Sequence, residues 1–438
     1  MMICGGVRAS APYGSDTCIV GFLQGKGVRF TQDNSVVLLE SGQAKFDDLF
    51  AAIRQARHSV HLEYFNFRND SIAGMLFDLL AQKAAEGVRV RALFDGFGNS
   101  SNNRPLTKKQ VVELRSRGIE IYEFDPLRFP WINRIWSRDH RKIVVIDGVV
   151  AYTGGMNVAD YYIEGKPEIG DWRDLHMRVY GHTVGELQGI FLRIWNRVSG
   201  QDVGGTEYYP GERDAAALFP SLLPDTTATA GRKLIGVVNR EPRTSPRIIR
   251  QTFAEAIDCA TSRIRIINPY LTLNRPIKRA LVRAVRRGVD VSVMVSTRSD
   301  IPITPDIVAH TVHGLMKKGV RVYYYEGGFH HTKVMTIDDN VSFVGSANLN
   351  SRSLRYDYEC NLLIVDEGIT SELNALFDRD TASSYLLTPE RWKQRPRGKR
   401  FAGWFFHFLT PFVEQLPTVI TPFGRGVEGT AHELYQNT

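Results

Sequence analysis

Residues 58 to 95, HSVHLEYFNFRNDSIAGMLFDLLAQKAAEGVRVRALFD, open with a short run of strand formers. A stretch follows whose apolar positions recur every three or four residues, and then, past a glycine, a Val-rich run. That succession predicts strand, loop, helix and strand, with Gly87 ending the helix. The same succession recurs in residues 262 to 296, SRIRIINPYLTLNRPIKRALVRAVRRGVDVSVMVS, where Gly288 takes the place of Gly87. Each copy is followed by a second apolar run that carries charge at its start: DHRKIVVIDG at 139 to 148 and HHTKVMTIDD at 330 to 339. Read as strands, these put His140, Lys142, Val144 and Ile146 on one face, with the two cationic groups roughly 7 Å apart. Asp147-Gly148 then signals a two-residue hairpin turn, and Asp338-Asp339-Asn340 takes its place in the second copy.

One H-x-K-x4-D motif can arise by chance; two with matching flanks cannot easily do so. His140, Lys142 and Asp147 recur as His331, Lys333 and Asp338 at an offset of 191 residues, and Gly154, Gly155 and Asn157 recur as Gly345, Ser346 and Asn348. The chain is therefore an internal duplication of an α/β unit. A first lobe is expected at 35–225 and a second at 226–390, joined through the Gly-, Pro- and Thr-rich stretch from about 200 to 235. An N-terminal segment, 1–34, and a C-terminal tail, 391–438, flank them. At 438 residues there is room for two or three domains. Four widely separated cysteines without a C-x-x-C pair favour a reduced compartment over a disulfide framework or a zinc cluster. No run approaches the roughly eighteen apolar residues of a membrane span.

With both motifs intact, the chain resembles the phospholipase D superfamily and, within it, bacterial cardiolipin synthases. The narrower resemblance rests on HRKIVVIDGVVAYTGGMNVADYY with DWRDLHMRV after it, and on HHTKVMTIDDNVSFVGSANLNSRSLRYDYECNLLIVD. It implies two similar α-β-α sandwich lobes with mixed sheets, related by a pseudo-twofold axis. It also implies that His140 is the nucleophile and His331 the acid, and that carboxylates stand at Asp174 and Glu359 to orient the imidazoles, within a lobe or across the two. Asp147 and Asp338 complete the catalytic signature, although their place in turn sequences suits a stabilising role. Tyr64 and Tyr270 occupy matching places in the repeated strands, as headgroup contacts or as core aromatics. Such synthases commonly begin with membrane-spanning helices, and MMICGGVRASAPYGSDTCIVGFLQG contains none.

The chemistry can be argued from the residues. A phosphodiester is anionic and repels oxygen nucleophiles, so its cleavage needs fixed cations, a nucleophile and an acid for the departing alkoxide. Two His-Lys pairs at a shared cleft supply all three: one imidazole attacks phosphorus, the other protonates the leaving oxygen, and the lysines with Asn157, Ser346 and Asn348 hold the phosphoryl oxygens. This chemistry calls for no cofactor and no metal, and no H-x-x-x-H or H-E-x-x-H cluster occurs.

A formal net charge of +8 implies an anionic partner. LRFPWINRIWSRDH and RWKQRPRGKRFAGWFFHFLTPF set basic residues beside Trp and Phe, as an interfacial anchor requires, so anionic phospholipid, phosphatidylglycerol above all, is expected and nucleic acid is not. A peripheral protein on the bacterial cell membrane, at its cytoplasmic face, follows; the oligomeric state stays open. Phosphatidyl transfer to form cardiolipin is the leading function. Hydrolysis of phospholipids, a nuclease or other phosphodiesterase, and a catalytically silent binding protein are the alternatives.

Overall fold

The computed structural model of the chain describes residues 14–127, 136–210 and 232–413. In the first lobe β1 (Phe30–Leu39) is followed by β2 (Ser59–Tyr64), β3 (Arg89–Asp95), β4 (Glu120–Phe124), β5 (Ile143–Ile146), β6 (Val150–Gly154), β7 (Asp171–Arg173) and β8 (His176–Tyr180). The second lobe contributes β9 (Lys233–Arg240), β10 (Arg263–Ile267), β11 (Asp290–Ser296), β12 (Arg321–Tyr325), β13 (Gly328–His330), β14 (Val334–Ile337), β15 (Val341–Gly345), β16 (Glu359–Val365) and β17 (Ser384–Leu386). The predicted βαβ units are present. β2 and β3 pair in parallel around the helix Ser71–Ala85, and β10 and β11 around Arg275–Arg286.

Hydrogen bonding joins both lobes into one fifteen-stranded mixed sheet, in the order β17-β12-β11-β10-β14-β15-β16-β9-β1-β8-β6-β5-β2-β3-β4. Read outward from the β9–β1 seam, the order is the same on both sides, with β17 added at one edge: this is the pseudo-twofold relation of two α-β-α sandwich lobes. At the seam β1 and β9 run antiparallel with a register shift between Thr31 and Asn34. Helices cover both faces, which is why the motif strands β5 (IVVI) and β14 (VMTI) are wholly buried and, but for Thr336, apolar instead of alternating.

Several expectations change here. β1 starts at Phe30, so the boundary set between 34 and 35 falls inside a strand. The helix Ser15–Gln24 packs on Ile248–Cys259 of the second lobe, and Cys18 and Cys259, 241 residues apart, form a disulfide, against the expectation of reduced thiols throughout. The hydrophobic stretch beside the first motif, Phe129, Trp131, Ile132 and Ile135, lies outside the described residues, as does most of the connector. The turns after the motifs hold three residues, since Ile146 pairs with Val150 and Ile337 with Val341.

Candidate active site

The histidines and lysines sit just ahead of their strands. β5 begins at Ile143 and β14 at Val334, so His140 to Lys142 and His331 to Lys333 are extended lead-ins outside the main ladder, and the strand face expected to carry both cations is corrected to this. Freed from the ladder, each lead-in pairs with the other lobe. Asp139 bridges Tyr358 in parallel, and His140 N donates to Tyr358 O at 3.0 Å. On the opposite side β13 pairs in parallel with β7, and His331 N donates to Arg173 O at 2.6 Å. The residue after each partner is a carboxylate. His140 Nδ1 thus lies 3.1 and 3.3 Å from the Glu359 oxygens, and His331 Nδ1 lies 2.6 Å from Asp174 Oδ2. Both histidine–carboxylate pairs cross between lobes.

Each lysine folds back on its own motif. Lys142 Nζ donates to His140 O at 2.6 Å, and Lys333 Nζ donates to His331 O. Both are buried, and the groups feel one another. Burial, opposed by Glu359 and reinforced by the Lys333 charge, brings Lys142 down to about 7; burial, opposed by Asp174 and Glu359, brings Lys333 to about 8. Burial and Lys142 lower His140, while burial and Lys333 bring His331 to about 4. Burial would raise the two carboxylates, yet Lys333 and His331 hold Asp174 below its usual range, and His140, Lys142 and Ser346 bring Glu359 to about 2. Near neutral pH the site thus holds two ionised carboxylates, two neutral imidazoles and two lysines poised to bind protons, a set whose charge an arriving phosphodiester would draw upward.

Because the lysine charges disappear as pH climbs through about 7 to 8, kcat/KM on a short-chain soluble lipid is expected to fall on that alkaline side. A profile flat to pH 9 would contradict it. Lys142→Ala and Lys333→Ala are each expected to lower turnover by roughly two to three decades, the scale for one lost transition-state donor.

Asp147 and Asp338 are not at this site. They sit at the far ends of β5 and β14, where Asp147 accepts from the amides of Arg57, His58 and Ser59 at 2.8 Å and Asp338 from those of Thr261, Ser262 and Arg263. Each fixes the entry to the neighbouring strand, so the catalytic assignment gives way to the turn-stabilising one. Ser346, expected on a phosphoryl oxygen, donates its hydroxyl to Glu359 Oε2 and accepts from Cys360 N at 3.0 Å. The matching Gly155 faces Asp174, where a Cβ would stand 2.2 Å from a carboxylate oxygen, so no side chain fits. Asn157 and Asn348 are buried near the motifs, each with an amide oxygen unpartnered among the described residues.

Tyr64 and Tyr270 do not match. Val60 pairs with Ile146 and Ile264 with Ile337, so strand register equates Tyr64 with Asn268 and Tyr270 with Asn66. Tyr64 is buried in the first-lobe core against Phe67, whereas the Tyr270 ring lies 5.8 Å from that of His331. On the other histidine the aromatic neighbour is Phe65, at 5.1 Å. Residues that sequence reasoning passed over include Phe65, Trp172 and Phe329 around the imidazoles, and the buried Lys45, whose Nζ donates to Asn157 O at 2.9 Å. The lysine carried no signal in an ordinary helical pattern. Trp172 lies in DWRDLHMRV, two residues before Asp174.

The family model described as "Cardiolipin synthase, PLD-like domain" matches residues 49–195 and 253–381. Among similar proteins, cardiolipin synthase 2 of Staphylococcus epidermidis is 34% identical over 384 residues, 87% of this chain and 75% of that one. The major cardiolipin synthase of Bacillus subtilis is 34% identical over 385 residues, 88% and 76% of the two chains. Among solved structures, phosphatidylserine synthase from Haemophilus influenzae superposes with a TM-score of 0.68 over 92% of this chain and 100% of its own, at 13% identity, a likeness of fold.

Proposed function

The chain belongs to the family of cardiolipin synthases with phospholipase D-like domains, and on that premise we propose that it joins two phosphatidylglycerol molecules through a phosphohistidine. In the first half the bound phosphodiester keeps His331 protonated on Nε2; His140 Nε2 attacks phosphorus, the bond to the headgroup glycerol breaks, and His331 gives that oxygen its Nε2 proton. In the second half a hydroxyl of another phosphatidylglycerol attacks the phosphohistidine, its proton passes to His331, and the P–N bond breaks to leave cardiolipin and free His140. The crossed histidine–carboxylate pairs carry this reading. Each carboxylate accepts a hydrogen bond from Nδ1–H and leaves Nε2 for chemistry, and each is ionised throughout the working range. His140 is the better placed nucleophile, its side chain 15% exposed against 8% for His331. Purified protein incubated with phosphatidylglycerol should yield cardiolipin and glycerol by mass spectrometry. Phosphatidic acid as the sole product would instead assign hydrolysis.

The lipid must be reached at a surface. Among the described residues no helix is long and apolar enough to cross a membrane. The helix Arg397–Val413 lies along Thr304–Met316, and at Gly403 a Cβ would stand 2.3 Å from Asp306 O, so this face is docked. Its other side exposes Phe401, Trp404, Phe405 and Phe408. Of the basic residues in this stretch, Arg395 is paired with Asp306 and Arg391 stacks on Tyr385, while Lys393, Arg397, Lys399 and Arg400 have no ion-pair partner among the described residues and face anionic headgroups, at about 1 kcal/mol each near the surface. We assign this face as the peripheral anchor on the cytoplasmic side of the membrane. Alanine at the four aromatic positions is expected to cut activity on phosphatidylglycerol vesicles at least tenfold, with little change on short-chain lipid. Binding of the unaltered protein to vesicles should weaken with salt without vanishing. Equal losses on both substrates would count against the anchor.

A further inference from the structure

Around His331 the two lobes build a ledge that the steps above do not use. From the first lobe comes a short loop, closed by hydrogen bonds between Lys166 and Gly170, with Gly165 and Gly170 at positive φ. From the second comes the segment after β11, whose Arg298 donates to Ile169 O at 2.9 Å and so pins the loop in place. Lys166 Nζ lies 4.5 Å from the Tyr161 ring centroid and 4.8 Å from that of Trp172, and the Trp172 ring is 5.5 Å from that of His331. Among the described residues the Lys166 ammonium has no carboxylate within ion-pair distance, whereas nearby Arg68 is already paired with Asp70. Two residues beyond Arg298, Asp300 is exposed and accepts from Tyr270 Oη at 2.5 Å and from Ser299 Oγ at 3.2 Å, both on Oδ1. Its Oδ2 has no partner among the described residues.

A half-buried cation on an aromatic platform and a carboxylate with an open oxygen both flank the imidazole that takes the incoming hydroxyl's proton. Resting on the transferase reading above, we infer that this ledge is the acceptor subsite: Asp300, steadied by Tyr270, receives the glycerol hydroxyl of the second lipid that does not react, and Lys166 receives its phosphate. Lys166 and Asp300 feel one another's charge, and a glycerol headgroup carries its phosphate at one end and its free diol at the other, so one headgroup presents a group to each. Asp300 also repels a phosphate placed directly over it, which sets the direction in which the headgroup enters. Water has neither feature, so the ledge favours transfer over hydrolysis by holding the acceptor in place.

Two acceptors separate the roles. Labelled glycerol, which lacks a phosphate, should exchange into phosphatidylglycerol, while phosphatidylglycerol itself should yield cardiolipin. Lys166→Gln is expected to lower cardiolipin formation about ten- to hundredfold more than glycerol exchange, the range for one charge-assisted contact to phosphate, with Lys166→Arg restoring most of it. Asp300→Asn is expected to depress both reactions and raise the share of phosphatidic acid. Equal losses of exchange and synthesis in Lys166→Gln, or an unchanged ratio, would overturn the subsite. Failure of the unaltered protein to make any cardiolipin would overturn the transferase reading itself, and the two failures are thereby distinguished.

Discussion

His140→Ala and His331→Ala are each expected to lower turnover by about four decades or more, with the double variant little worse than either alone. Groups that act as one unit lose nearly everything at the first removal, because the step that remains lacks either its nucleophile or its acid. The two imidazoles share one cleft and one proton inventory: each is neutral in the free protein, pushed down by burial and by its own lysine. Without His140 no phosphohistidine can form. Without His331 one can form only as fast as an unprotonated glycerol alkoxide departs. Rapid quenching with labelled lipid should place the label on His140 alone. Label on His331 would exchange the two roles, and nearly full activity in either alanine variant would remove the mechanism.

The second large effect is expected at the carboxylates. Glu359→Gln and Asp174→Asn should each cost roughly three to four decades, near the cost of turning a triad aspartate into its amide. A carboxylate can only accept, so it keeps the proton on Nδ1; an amide can donate to Nδ1 and leave the proton on Nε2, where it blocks attack. The two losses differ in kind. Glu359 serves the nucleophile, whereas Asp174 serves the group that protonates the departing oxygen. A phosphatidyl ester of p-nitrophenol, whose leaving group needs no proton, should therefore restore much of the first-step rate to Asp174→Asn and little to Glu359→Gln. Rescue of the opposite variant would reverse the assignment of nucleophile and acid.

The duplication was open to reading because it is written in local terms: a period of two in the strands, three to four in the helices, and a motif repeated at a constant offset. Which carboxylate meets which histidine was not, because spacing within one lobe cannot report a parallel bridge to the other, such as Asp139 to Tyr358. The same limit hid the disulfide between two cysteines 241 residues apart. Tyr64 and Tyr270 were mispaired for a subtler reason. Matching them sets the strands 206 residues apart, whereas pairing with β5 and β14 sets them 204 apart, and a slip of two residues leaves a period-two pattern unchanged. For Asp147 and Asp338, membership of the motif pointed to chemistry and the turn pointed to backbone amides; the hydrogen bonds follow the turn.

The crossed pairs also bear on ancestry. A lobe standing alone would own an imidazole and a lysine with no carboxylate to orient them, and its own carboxylate would face nothing. A single-copy forerunner could have worked only as a symmetric pair of chains, each completing the other. In one polypeptide the halves need not stay alike, and they do not: the shorter acid, Asp174, lies against Gly155, and the longer one, Glu359, accepts a hydroxyl from Ser346.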